Sequence, residues 1–165
     1  MSFEDLLAAN EVYAESFTGA ALQARAARGL AVVTCMDSRI DPLEMLGLSY
    51  GDAKILRNAG ARVTDDVLRT LVLAVHLLGV ERIMIVAHTD CRMAKVTDEQ
   101  AHEAIFDASG VDTRSLDFRT VTHQTEALQA DVQKLRSSPY LPEDLPVLGC
   151  IYDVVTGRIQ VAVPE

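Results

Sequence analysis

Two unbroken apolar runs, Leu30–Thr34 and Arg82–Ala87, constrain this chain most, because neither alternates apolar with polar residues along its core. A strand with one wet face alternates, whereas a strand covered on both faces reads as continuous apolar sequence, the habit of parallel sheets. Between them, Thr64-Asp65-Asp66 supplies a polar cap and an acidic first turn, and Leu68, Leu71, Val72, Val75 and Leu78 follow at helical spacing up to Gly79. Ala53–Leu56, Val147–Val154 and Arg158–Val163 read as further strands, the last two joined by a tight Thr156-Gly157 turn. Thr97-Asp98-Glu99-Gln100 opens a helix to about Ser109 with a capping pattern, and Thr120–Arg136 carries a stripe of Val121, Leu128, Val132 and Leu135. A short helix is expected from Asp41 to Gly47, with Pro42 in its first turn. Strands alternating with helices predict an α/β fold: a mainly parallel sheet flanked by helices, in the order 2-1-3-4 by position along the chain, with strand 5 antiparallel at the edge.

The length, 165 residues, suits one domain spanning 1–165, and no repeat or Gly/Ser linker divides it. Residues 2–17 read as an acidic helix whose apolar Phe3, Leu6, Leu7, Val12, Tyr13 and Phe17 are loosely spaced, suiting an arm that packs on a neighbour. With 15 basic against 24 acidic residues the net charge is −9, which repels polyanions and excludes nucleic acid and anionic membrane surfaces as partners. The longest apolar stretch, Leu71–Val80, is broken by His76 and too short to span a bilayer. The acidic start, Met-Ser-Phe-Glu-Asp, is unlike a secretory signal, so the expected compartment is the cytoplasm. Cys35, Cys91 and Cys150 are too few and odd in number for a disulfide framework, leaving metal binding, catalysis or burial to explain them.

Cys35 directly follows the Leu30–Thr34 strand, and His88 and Cys91 directly follow the Arg82–Ala87 strand. Functional groups in open parallel sheets gather at the carboxyl ends of strands, at the crevice where strand order reverses. The expected order places that crevice between these two strands, so Cys35 faces His88 and Cys91. Two sulfurs and an imidazole make three corners of a tetrahedral zinc site. Burial is the ordinary explanation for any one of these cysteines, but it does not account for all three residues meeting at neighbouring strand ends. Asp37 and Arg39, two residues apart, can form a charge-assisted pair beside the metal. Such a pair either holds the carboxylate off the metal, leaving a corner open for water, or breaks and lets Asp37 close the site. On the two residues alone it is equally a surface ion pair in a loop.

Together the segments resemble the β-class carbonic anhydrases. Cys35-Met36-Asp37-Ser38-Arg39 matches that family's Cys-x-Asp-x-Arg motif, and His88-Thr89-Asp90-Cys91 its His-x-x-Cys motif. Arg57-Asn58-Ala59-Gly60 is similar to its Arg-Asn-Ala-Gly loop, and Val63-Thr64-Asp65-Asp66 continues like the short prokaryotic branch. The likeness is strong over about residues 28–96 and looser at the terminal strands. It implies Zn2+ bound by Cys35, His88 and Cys91, and an Asp37–Arg39 catalytic dyad. It implies reversible hydration of carbon dioxide to bicarbonate and a proton by a zinc-bound hydroxide, with Asn58, Ala59 and Gly60 lining a small substrate pocket. Family members are dimers or larger with an N-terminal arm clasping the partner, which implies a homodimer or homotetramer here.

Arg92 departs from the family pattern, which has Gly after the second zinc cysteine. Several roles are open to it: donating to a zinc thiolate, filling the pocket, binding an anion such as bicarbonate, or pointing to solvent. The competing functions are hydrolysis of carbon disulfide or carbonyl sulfide on the same site, and a catalytically weak zinc protein. A thiol redox protein using Cys35 and Cys91 is disfavoured because no Cys-x-x-Cys occurs. Cys150 reads as core, His76 as packed with one hydrogen bond, and His102 and His123 as polar helical residues without evident geometry for proton transfer.

Overall fold

The computed structural model describes residues 2–165. Its helices are α1 (Glu4–Glu15), α2 (Asp65–Leu78), α3 (Asp98–Ser109) and α4 (Gln124–Arg136); its strands are β1 (Leu30–Cys35), β2 (Ala53–Asn58), β3 (Arg82–His88), β4 (Val147–Tyr152) and β5 (Ile159–Val163). The sheet order is β2-β1-β3-β4-β5, with β5 antiparallel to β4 and every other neighbouring pair parallel. This is the architecture expected from the sequence. All six residues of β1 are buried, as a central strand covered on both faces requires.

α2 begins where Thr64 Oγ1 accepts from the Val67 amide, and ends on Gly79, whose φ of +71° a Cβ-bearing residue resists. It buries Val67, Leu71 and Ala74, and α4 buries Leu128, Val132 and Leu135, against Ala31, Val33, Ile83, Ile85 and Val147 on one face of the sheet. On the opposite face Val32, Val86 and Cys150 are covered by Met45, Leu46 and Leu48. That covering segment is not the helix expected from Asp41. Asp41 Oδ1 accepts from the amides of Leu43 and Glu44, and only the 3-10 turn Glu44–Leu46 follows before Gly47 turns left-handed.

α4 starts four residues later than its apolar stripe suggests. The amide and hydroxyl of Thr120 both donate to Asp98, and the Val121 amide donates to the Met93 carbonyl, so these groups are spent on loop contacts. Val121 is buried, but by loop packing. α1 has no buried residue; Phe3, Leu6, Leu7, Val12, Tyr13 and Phe17 all stand exposed on this chain alone. No helix among the described residues is long and apolar enough to cross a membrane. From β1 the chain crosses to β2 on one side, and from β3 to β4 on the other, so the sheet reverses its winding between β1 and β3. Cys35 ends one of these strands and His88 the other.

Candidate metal centre

Cys35, His88 and Cys91 meet at this reversal, with their ligand atoms within 4.8 Å of one another and all three side chains buried. β1 delivers Cys35, β3 delivers His88, and the turn after β3 brings Cys91 back towards both. The His88 Nδ1–H donates to the Thr89 carbonyl at 2.8 Å, because a carbonyl can only accept; in the neutral ring the lone pair therefore sits on Nε2. Nε2 is fully buried and, among the described residues, is the one buried side-chain nitrogen or oxygen without a hydrogen-bond partner. Leaving such a group unsatisfied costs about 1–3 kcal/mol. A cation between Nε2 and the two sulfurs removes that penalty, and an S2N donor set fits zinc with a fourth corner free. The residues present therefore fit a zinc ion.

The two sulfurs differ: Cys35 is poised as the acceptor and Cys91 as its donor. The Cys91 S–H and then His88 lower the Cys35 thiol well below its ordinary range against the opposing effect of burial, and the Gly60 amide adds a contact to Sγ at 3.4 Å. Cys91 is pushed up by the same thiolate and by burial. For His88 burial acts downward, but Cys35 and the Thr89 carbonyl outweigh it and the net shift is upward.

Asp37 lies against this cluster, its Oδ2 3.9 Å from His88 Nε2. Arg39 grips both carboxylate oxygens: Nε donates to Oδ1 at 2.9 Å and Nη2 to Oδ2 at 2.8 Å, with the Arg39 amide also on Oδ1 at 3.0 Å. That grip holds the Asp37 carboxyl far below the usual carboxylate range. Arg57, on β2, donates to the carbonyls of Cys35 and Asp37 at 2.9 and 2.6 Å and so fixes the loop carrying both.

Asn58, Ala59 and Gly60 border the same corner. Cys35 and Asn58 are register partners across β1 and β2, and the 3-10 turn Ala59–Ala61 follows. Gly60 adopts φ +80°, which is what lets its amide turn onto the sulfur. The Asn58 side chain is committed at both ends to the Arg62 backbone, with Oδ1 accepting from the amide and Nδ2 donating to the carbonyl. These two bonds shape the turn, and Nδ2 keeps a second N–H and Oδ1 a second lone pair.

Sequence reasoning missed three contributors. Gln124 donates to the His88 carbonyl at 2.8 Å; Asp131 binds Arg62 at 2.7 Å beneath the Asn58 turn; and Asp90 binds Arg39. The first two come from far along the chain with no local signature, and Asp90 was hidden as a spacer inside His-x-x-Cys. Arg92 is exposed, and its guanidinium has no hydrogen-bond or ion-pair partner among the described residues. Cys150 is fully buried in the sheet's other face, away from the cluster. His76 does make one hydrogen bond, to the Tyr140 carbonyl, but from an exposed position. His102 bonds Thr113 and stacks on Phe118, while His123 precedes α4 exposed.

Residues 30–159 match the family model described as carbonic anhydrase. The chain is 34% identical over 161 residues to beta-carbonic anhydrase 1 of Mycobacterium bovis, covering 98% of each. It is 31% identical to a carbon disulfide hydrolase of an Acidianus species, over 81% of this chain and 76% of that one. The crystal structure of a carbonic anhydrase from Streptococcus mutans superposes with a TM-score of 0.92 at 40% identity, covering 99% of both chains.

Proposed function

The chain belongs to the carbonic anhydrase family, in its β-class, and from that premise we propose that it hydrates carbon dioxide reversibly to bicarbonate and a proton, with zinc held by Cys35, His88 and Cys91. The observation that carries this reading is the buried His88 Nε2, left without a partner within reach of two cysteine sulfurs. Zinc supplies a Lewis acid there, bringing the ionisation of water towards neutral pH. Two thiolates cancel the charge of a divalent ion, so the protein must help. Asp37 accepts a hydrogen bond from the attacking water and orients it towards the carbon, and the released proton passes to buffer. Arg39 offsets the charge of Asp37 and, by holding both carboxylate oxygens, would keep it from ligating a bound zinc.

Ala59 and Gly60 border a pocket for a small linear substrate, and Asn58 holds that turn in place. We read residues 1–165 as one domain with 2–17 as its arm. The exposed apolar side chains of α1 support a homodimer or homotetramer in which a second copy covers them. The three unpaired, buried cysteines support a reducing compartment such as the cytoplasm.

Carbon disulfide is the second candidate substrate, on the strength of the Acidianus relative. The M. bovis relative is matched over 98% of this chain, against 81% for Acidianus, and that fuller coverage favours carbon dioxide. Zinc-loaded enzyme assayed on carbon dioxide, carbonyl sulfide and carbon disulfide separates the two. Turnover of carbon dioxide is expected; turnover of carbon disulfide with none of carbon dioxide overturns the reading.

A further inference from the structure

The chain contains three Asp-x-Arg pairs that close on themselves in the same way. In Asp37–Arg39, Asp112–Arg114 and Asp117–Arg119 the arginine amide donates to Oδ1 of the aspartate two residues earlier, and the guanidinium folds back onto the same carboxylate. An Asx-type turn makes this pairing almost automatic, so the pair alone does not distinguish a dyad from an exposed loop. Only Arg39, among the three, is held from its far side. Its Nη1 donates to Asp90 Oδ2 at 2.8 Å and its Nη2 contacts the Asp90 carbonyl at 3.3 Å. Asp90 is itself paired with Lys95 through its other oxygen.

Asp90 immediately precedes Cys91, and its backbone is left-handed at φ +57°. That conformation is uncommon for a residue with a side chain and is tolerated best by Asn and Asp. The chain Asp37–Arg39–Asp90–Lys95 alternates in charge and ties the loop after β1 to the turn after β3, across the reversal that holds the cluster. Exposed ion pairs are weak singly, but a planar guanidinium engaged on two sides has little freedom left to rotate.

We propose that Asp90, braced by Lys95, is a positioning residue: it clamps Arg39 to the turn bearing Cys91 and so fixes where the Asp37 carboxylate stands relative to the metal ligands. Without the clamp, Asp37 and Arg39 hang from the β1 loop alone, as Asp112 and Arg114 hang from theirs. The inference rests on reading Asp37–Arg39 as the catalytic dyad, and it assigns Asp90 no contact with substrate.

The test uses zinc-loaded full-length enzyme carrying Asp90→Asn, which suits the left-handed backbone while removing the charge, together with Lys95→Met. Asp112→Asn, which breaks the unclamped twin pair, serves as control. Two quantities are read: steady-state carbon dioxide hydration, and solvent exchange of the Arg39 Nε–H resonance, assigned by its loss in Arg39→Lys. For Asp90→Asn, kcat and kcat/KM fall together by about tenfold, the usual weight of a partner behind the reacting groups. The Arg39 signal broadens in the same variant. Lys95→Met shows a smaller loss in the same direction, and Asp112→Asn matches wild type in both readouts. Either change in Asp90→Asn without the other overturns the inference, as does neither. Wild-type enzyme that holds zinc but hydrates no carbon dioxide instead overturns the dyad reading beneath it.

Discussion

His88 Nε2 and Asp37 Oδ2 stand 3.9 Å apart, one at the end of β3 and the other two residues past the end of β1. The gap is too long for a hydrogen bond, so the imidazole keeps its lone pair and the carboxylate stays with Arg39. On the proposed reading, Arg39 would decide which of two roles the carboxylate plays: orienting a water while paired, or competing for a bound metal once released.

Replacing Arg92 tests whether the family's glycine matters at this position. Its guanidinium is exposed and bonded to nothing among the described residues, so it does not hold a sulfur. Arg92→Gly is expected to keep hydration kcat within about twofold of wild type, the range of ordinary surface substitutions. A stopped-flow gain of about tenfold or more would show that Arg92 obstructs the site, at odds with its exposure.

Acid should loosen the loop that displaces the start of α4. The Thr120 hydroxyl and amide, with the Phe118 amide, hold the Asp98 carboxyl down at about 2. A pKa depressed in the folded state gives stability that is present above the unfolded value, about 3.9, and is lost as pH falls towards 2. The Tm gap between wild type and Asp98→Asn should be full above about pH 5 and close between about pH 4 and 2. A gap that is constant over this range would contradict the assignment.

The Asn58 turn is braced from below by the Arg62–Asp131 pair, 18% and 7% exposed, at 2.7 Å. Breaking a mostly buried pair strands the remaining charge, so Asp131→Ala should cost about 2–4 kcal/mol in urea unfolding. The same substitution loosens the support beneath Gly60 and should lower hydration activity in whatever fraction stays folded. Stability within about 0.5 kcal/mol of wild type would mean that Arg62 finds solvent instead.

Much of this was legible because parallel strands announce themselves. Leu30–Thr34 and Arg82–Ala87 are continuous apolar runs, and their ends put Cys35 and His88 at one crevice. What stayed hidden depends on long-range hydrogen bonds. Asp98 recruits Thr120 from 22 residues away and so removes a helical turn that the apolar stripe had promised. Asp41 caps two amides locally and yields a 3-10 turn where helix formers suggested more. Asp90 reads as a spacer in sequence, and only the fold brings Arg39 to it.

Deleting residues 2–17 tests the arm. Phe3, Leu7 and Val12 are 75%, 65% and 68% exposed, too much apolar surface for a lone chain to leave wet. Light scattering should show the full chain as a dimer or tetramer and the truncated chain at a lower mass. An unchanged mass would place the subunit contact elsewhere.

The most direct test is elemental analysis of the purified full chain after dialysis into metal-free buffer. Wild type should hold about one zinc per chain, and His88→Ala and Cys35→Ser should fall to background, because a tetrahedral site with an open corner cannot spare a protein ligand. Wild-type protein without zinc, or His88→Ala retaining a full complement, would contradict the account.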